Sequence, residues 1–317
     1  MAVTSSNKAL SPGRWIQPGV LARLGNFELI ARTVVDGLLT GLHRSPHFGF
    51  SQEFAEYRAY NEGDDLRYVD WNVFARTDKT YIKRFRGETN TSLTVLLDTS
   101  ASMNFSEGST QNTQDDKQTE SITKFDYARY LAACLSQLAK RQHDAVGLMM
   151  FDHVVGEVVP PSSRPDTLPR IYAALDRQQA SQGTDVDAAL DSLNAVSGRR
   201  GLVAVISDFY TDPDELMDSL QPLVHRQQDI VLFHLLTSDE LAPAYGDVVS
   251  LKDVETDRQI DVDAEWLNNT YRQRIQSHCD ELEALALRQG ADYCRIEINE
   301  PLDDALLRYL LFRQRKR

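Results

Sequence analysis

From Ser92 onward the chain alternates short apolar runs with amphipathic stretches, and few folds absorb that rhythm. The runs are 93–97 (LTVLL), 145–151 (AVGLMMF), 201–206 (GLVAVI), 230–236 (IVLFHLL) and 293–298. Helical patterns occupy 122–142, 166–179, 186–196, 213–228, 264–289 and 303–315. A strand that is apolar without alternation is buried on both faces, which parallel strands joined by crossover helices achieve. The expected fold is α/β: a doubly wound, mainly parallel sheet with helices on both faces. Two departures are visible. VVGEVV at 154–159 follows the second run across Asp152-His153 and predicts a hairpin with it, and 247–262 reads as a smaller β excursion.

Residues before Ser92 read differently. LARLGNFELIARTVVDGLLTGLH at 21–43 puts Leu24, Phe27, Ile30, Ala31, Val34, Leu38 and Leu42 on one helical stripe. Residues 45–63 look irregular, with Pro46, Gly49 and Gly63 as breakers, and TYIKRFRGE at 80–88 alternates like a strand. Charge changes at the same place. Residues 1–92 carry 12 Lys and Arg against 10 Asp and Glu, whereas 93–317 carry 22 against 37. Two modules are expected: a helix and β segment over 1–91, and an α/β domain over 92–317. The first is too small to bury a core alone and is expected to pack on the second. Within the second, the insert at 106–121 (SEGSTQNTQDDKQTES) holds no aliphatic or aromatic residue. Such a segment cannot offset its ordering entropy, so it is expected to be mobile beside the strand ends.

Composition excludes several function classes. An acidic domain repels the nucleic-acid backbone, and the basic residues Arg76, Lys79, Lys83, Arg84 and Arg86 are interleaved with Asp64, Asp65, Asp70 and Asp78. Binding of nucleic acid is not expected. Three widely spaced cysteines, Cys134, Cys279 and Cys294, suit a reducing compartment better than a disulfide framework. No apolar run approaches the ~20 residues of a membrane helix and no signal peptide is visible, so membrane insertion is not expected and a cytoplasmic location is. His143 and His153 read as loop residues, Trp71 and Trp266 as packing residues, and Asp64-Asp65 as turn acids satisfied by Arg67 or Arg76.

In doubly wound sheets ligands sit beyond the carboxyl ends of the strands, where the strand order reverses. The first apolar run ends there in Asp98, with Ser100 and Ser102 at alternate positions. The run at 201–206 ends in Ser207-Asp208, and GTDVDAAL supplies Thr184 and Asp185 just before a helix. Thr184 and Asp185 also read as a helix N-cap pair, and Asp208 as a cap for the helix near Pro213. Taken as ligands, Asp98, Ser100, Ser102, Thr184 and Asp208 are hard oxygen donors suited to Mg2+ (or Mn2+), which keeps several waters in an octahedral shell. Two carboxylates only just neutralise such an ion, leaving it open to a carboxylate from outside. Asp98 is expected at a solvent-facing strand end.

DTSAS resembles the D-x-S-x-S of the von Willebrand factor A fold, whose metal-ion-dependent adhesion site also uses a downstream Thr and Asp, here matched by Thr184 and Asp208. Residues 56–88 (EYRAYNEGDDLRYVDWNVFARTDKTYIKRFRGE) resemble the segment preceding this module in a bacterial family of unknown function, and EPLDDALLRYL at 300–310 resembles its ending. The resemblance covers roughly residues 20 to 317. It implies a metal-dependent interaction module in which a partner's Asp or Glu completes the metal shell. It also implies a MoxR-type AAA+ ATPase, or its client, as partner, with this chain an adaptor or co-chaperone-like component. Some relatives carry transmembrane helices ahead of this segment.

An enzyme is the alternative. A haloacid-dehalogenase-type phosphatase also starts from an aspartate after its first strand, which would make Asp98 the nucleophile of a metal-dependent hydrolase. It needs a second aspartate two residues on, where this chain has Ser100. No G-x-S-x-G elbow and no G-x-x-x-x-G-K-[ST] loop is present. A structural scaffold with a vestigial metal site is the other alternative.

Overall fold

The computed structural model describes residues 18–22, 24–43, 54–59, 69–85, 92–106, 122–153, 155–180, 190, 193, 201–242, 249–252, 259–262 and 270–315. Thr184, Asp185, Trp266, Asp64, Asp65, Arg67, nearly all of the 106–121 insert and most of the helix expected at 186–196 lie outside them.

The chain divides into two compact units, Met1–Leu38 with Thr91–Arg317, and Leu39–Asn90. The division falls inside a helix. A short helix, α1 (Pro18–Ala22), precedes α2 (Phe27–His43). The continuous stripe expected from residue 21 is interrupted because Gly25 adopts φ 58, a left-handed conformation open to glycine, and Leu24 is exposed. Asn26 Oδ1 then accepts the Leu29 N–H and starts α2. Within the larger unit the apolar face of α2 is buried at Phe27, Ile30, Ala31, Val34 and Val35. Phe27 meets the ring of Tyr130 at 5.7 Å between centroids, and Asp36 pairs with Arg141.

The smaller unit holds β1 (Phe54–Ala59), α3 (Trp71–Thr77) and β2 (Tyr81–Phe85), with β1 and β2 antiparallel. The strand expected at 80–88 is β2. Neither β1, in a stretch that reads as irregular, nor the seven-residue α3 is legible from periodicity. Trp71, expected to pack, is 59% exposed and meets Phe74 edge to face.

The larger unit continues through β3 (Ser92–Asp98), α4 (Lys124–Arg141), β4 (Ala145–Phe151), β5 (Val155–Ser162), α5 (Thr167–Arg177), β6 (Gly201–Ser207), α6 (Pro213–His225) and β7 (Asp229–Leu236). It closes with α7 (Ser238–Leu241), the antiparallel pair β8 (Val249–Lys252) and β9 (Gln259–Val262), α8 (Arg272–Gln289), β10 (Asp292–Glu297) and α9 (Leu302–Arg315). Six strands form one sheet in the order β10-β7-β6-β3-β4-β5, parallel except for β5. The expected hairpin is β4–β5. Its edge strand tolerates Pro160 and Pro161 because an edge need not donate every ladder hydrogen bond. Gly147 makes room for Pro161, whose ring nitrogen would stand 2.7 Å from a Cβ there.

Side chains alternate between two cores. Leu96, Val203, Val205 and Leu232 pack with Leu216 and Leu220 of α6, Leu282 and Ala286 of α8, and the helical residues Leu190 and Leu193. The opposite face carries Val95, Leu97, Ala204 and Phe233, all buried, with Phe233 against Tyr309 of α9. Helices therefore cover both faces, and the strands can be apolar at every position. The chain winds outward through β3, β4 and β5, then returns to lay β6 on the other side of β3. The order reverses between β3 and β6.

Candidate functional site at the β3–β6 switch

Both polar strand ends meet at this reversal. Asp98 is the last residue of β3 and Ser207 the last of β6, and the register Leu97↔Ile206 sets them side by side. Ser207 Oγ donates to Asp98 Oδ2 at 2.5 Å, while Ser100 N donates to Oδ1 at 2.9 Å. Ser100 Oγ and Ser102 Oγ are 3.0 Å apart, Ser100 preceding and Ser102 lying within the short 3-10 turn Ala101–Asn104. Sequence reading thus identified three residues that the fold gathers. Asp98 is not solvent-facing, however. It is fully buried, as is Ser100, because the turn after β3 folds over the strand end.

Burial has an electrostatic consequence. Desolvation, and then the neighbouring Asp208, push the Asp98 carboxyl from 3.8 up to about 7, against the opposing hydrogen bonds from Ser207 and Ser100. Asp208 is 1% exposed, and it does not cap α6: that cap is Asp212, which accepts from Asp214 N and Glu215 N.

Asp208 instead accepts from a residue that the sequence reading passed over. Lys124, the first residue of α4, is 0% exposed, and its Nζ lies 2.7 Å from Asp208 Oδ2 and 2.7 Å from Glu240 Oε1. Burial pulls the lysine pKa down, but Asp208 and Glu240 more than offset it, so the ammonium stays charged. Glu240 is held at both oxygens. Oε1 also accepts from Tyr210 Oη at 2.8 Å, and Oε2 accepts from Thr237 N and Oγ1 in the capping box that starts α7. A signal for Lys124 did exist. A cation in the first turn opposes the helix dipole, so SITKFDYARYL carries a lysine where helix chemistry disfavours one.

Phe209, between Asp208 and Tyr210, has φ 47, a strained setting for a bulky side chain. Its N–H donates to Ser207 Oγ at 2.9 Å and its carbonyl accepts from His278 Nε2 of α8 at 2.9 Å. The buried His234 ring meets it edge to face. These contacts hold the turn that aims Asp208 and Tyr210 to the same side.

The donor set fits a hard divalent cation in its chemistry: two aspartates and two hydroxyls, all oxygen, at one strand edge, with a raised Asp98 pKa that positive charge would relieve. The added lysine makes the fit less generous than two bare carboxylates. Among the described residues no three His, Cys, Asp or Glu side chains are grouped as a metal cluster.

Similar solved structures include the conserved hypothetical protein BatB from Bacteroides thetaiotaomicron. It has a TM-score of 0.42 and 14% identity, over 69% of this chain and 98% of that one. The SpRpn10 VWA domain is similar at a TM-score of 0.37 and 10% identity, over 68% and 93%. The sheet order, not these likenesses, fixes the α/β fold class. Among curated sequences, the uncharacterized protein Rv1480 of Mycobacterium tuberculosis is 28% identical over 242 residues, 75% of this chain and 72% of that one. An uncharacterized protein of Mycobacterium bovis, Mb1516, aligns equally well. Residues 56–284 match the family described as "Protein of unknown function DUF58", and the chain belongs to that family.

Proposed function

We propose that this chain is a metal-dependent protein-interaction module in which Asp98, Ser100, Ser102, Thr184 and Asp208 hold one Mg2+ (or Mn2+). A partner's Asp or Glu then completes the shell. The observation that carries this reading is the convergence of Asp98, Ser100 and Ser102 with Asp208 at the β3–β6 reversal, where ligands of doubly wound sheets bind. When bound, the ion supplies an electrophilic position that an external carboxylate can occupy. The resemblance set out under Sequence analysis supplies the partner class, a MoxR-type AAA+ ATPase or its client, with this chain as adaptor. Three free cysteines support a reducing, cytoplasmic setting. Among the described residues no helix is long and apolar enough to cross a membrane.

We read the site as binding rather than catalytic. Ser100 stands where a haloacid-dehalogenase-type phosphatase needs its second aspartate as general acid, and turnover of p-nitrophenyl phosphate with Mg2+ is expected to be nil. One observation favours the scaffold alternative: Lys124 already neutralises part of the edge. Pull-down from native lysate with Mg2+ against EDTA, for wild type and Asp98→Ala, separates these readings. Metal-dependent capture by wild type and none by the variant is expected. Identical capture by both would sink the metal mechanism.

A further inference from the structure

The Lys124 ammonium lies on the same edge as the oxygen ligands and is already bonded to one of them. It reaches Asp208 Oδ2 and Glu240 Oε1 at equal distances of 2.7 Å, with the Tyr210 ring 5.0 Å and the Phe105 ring 6.0 Å from Nζ. Burying an ion costs several kcal/mol before its partners compensate, and placing it in a helix first turn adds a dipole penalty. Capping α4 does not require it, because Thr123 and Asp126 form a complete capping box. What Lys124 contributes is positive charge where the divalent ion is proposed to bind.

Its two partners are held differently. Glu240 is fixed at both oxygens by Thr237 and Tyr210 and can keep the ammonium without moving. Among the described residues the Asp208 carboxylate has Lys124 as its one side-chain partner, through Oδ2, while its backbone meets His234. The lysine therefore has one stationary acceptor and one exchangeable one.

We propose that Lys124 is a tethered counter-cation that competes with the divalent ion for Asp208, Glu240 retaining the ammonium when the ion enters. The inference rests on the metal reading of this edge and deepens it. An internal cation lowers the affinity of the empty site, so an ion is held firmly only when an external carboxylate adds its own charge. Metal binding and partner binding become one coupled event.

Calorimetric titration of the full chain with Mg2+ and with Mn2+ tests this, comparing wild type, Lys124→Gln and Glu240→Gln. Removing a unit charge this close makes Lys124→Gln bind roughly tenfold tighter or more, and Glu240→Gln, which leaves the ammonium to Asp208 alone, roughly tenfold weaker. Equal or weaker binding by Lys124→Gln overturns the inference and leaves the metal reading standing. A silent wild type with a binding Lys124→Gln supports the inference and agrees with a native site that holds its ion only together with a partner's carboxylate. Silence in both overturns the inference, and the metal reading is then decided separately by Mg2+-dependent capture in the pull-down. Should Lys124→Gln fail to fold, Glu240→Gln decides: unchanged or tighter binding overturns the competition.

Discussion

Asp98→Asn is the substitution that asks most of the site. The side chain keeps its shape and can keep both hydrogen bonds: the amide oxygen accepts from Ser100 N, and the amide nitrogen donates to Ser207 Oγ, which has a lone pair to spare. Only the charge goes. In the native state the carboxyl titrates at about 7, against 3.8 for the ordinary value. Between those values the folded chain holds one proton more than the unfolded chain. A raised carboxyl pKa thus contributes stability that is fully present below about pH 4 and lost as pH rises through 7. The loss is about 1.4 kcal/mol per pH unit, so metal-free wild type should shed about 3 kcal/mol between pH 5 and pH 8 through this one group.

Urea unfolding of wild type and Asp98→Asn in EDTA, at pH 5 and pH 8, isolates that amount. The variant should gain on wild type by about 3 kcal/mol over the interval, because titrating groups that do not interact with Asp98 cancel in the comparison. Parallel pH dependence in the two proteins would refute the reasoning, since it would mean that Asp98 ionises without penalty. Asp98→Ala is the poorer test of stability. It leaves Ser100 N and Ser207 Oγ without their acceptor in a buried place, at about 1–3 kcal/mol for an unsatisfied group.

Two further outcomes follow from the packing. Gly201→Ala should destabilise by about 1–3 kcal/mol in the same unfolding assay, because a Cβ there would stand 2.4 Å from Ser92 Oγ and 2.9 Å from the Ser92 carbonyl oxygen; an unchanged midpoint would contradict it. The fragment 92–317 should be markedly less stable or insoluble by thermal unfolding, since it loses Leu21, Phe27, Ile30, Val34 and Val35, each worth about 1.5–3 kcal/mol when fully buried, against a typical net stability of about 5–15; a soluble fragment as stable as the full chain would contradict that.

The fold was largely legible because its strongest signal is local. β3, β6 and β7 hold continuous or nearly continuous apolar runs and are buried at nearly every position, which only a doubly covered sheet rewards, and β5 announced itself by following β4 across a short turn. The misses have local causes too. α3 spans two turns, too few for a period to register, and β1 sits among charges and glycines that read as loop. At residue 25 one glycine with positive φ outweighed a stripe that otherwise continued through it.

The site divides in the same way. Asp98, Ser100 and Ser102 are two residues apart, so their convergence follows from the local chain once the strand end is known. Ser207 and Asp208 needed the strand order as well: the strand rhythm put them on the same rim as Asp98, and the structure shows that β6 lies beside β3. Lys124 and Glu240 lie 84 and 116 residues from the partners they bond, and each helix start reads as complete without that bond: Thr123 and Asp126 cap α4 without Lys124, and Glu240 already has a local role in the capping box of α7. Periodicity accounts for a residue's face and not for its charge, so a buried lysine is invisible to it. Only the misfit betrays Lys124, a cation where the α4 dipole disfavours one. A helix that begins with an avoidable electrostatic penalty points to a compensating charge elsewhere in the fold. Here the compensation comes from Asp208 and Glu240, and it joins the turn after β6 to α7. Tyr210, half-exposed beside the strand ends, shares Glu240 with Lys124 through its hydroxyl and sets its ring 5.0 Å from the ammonium.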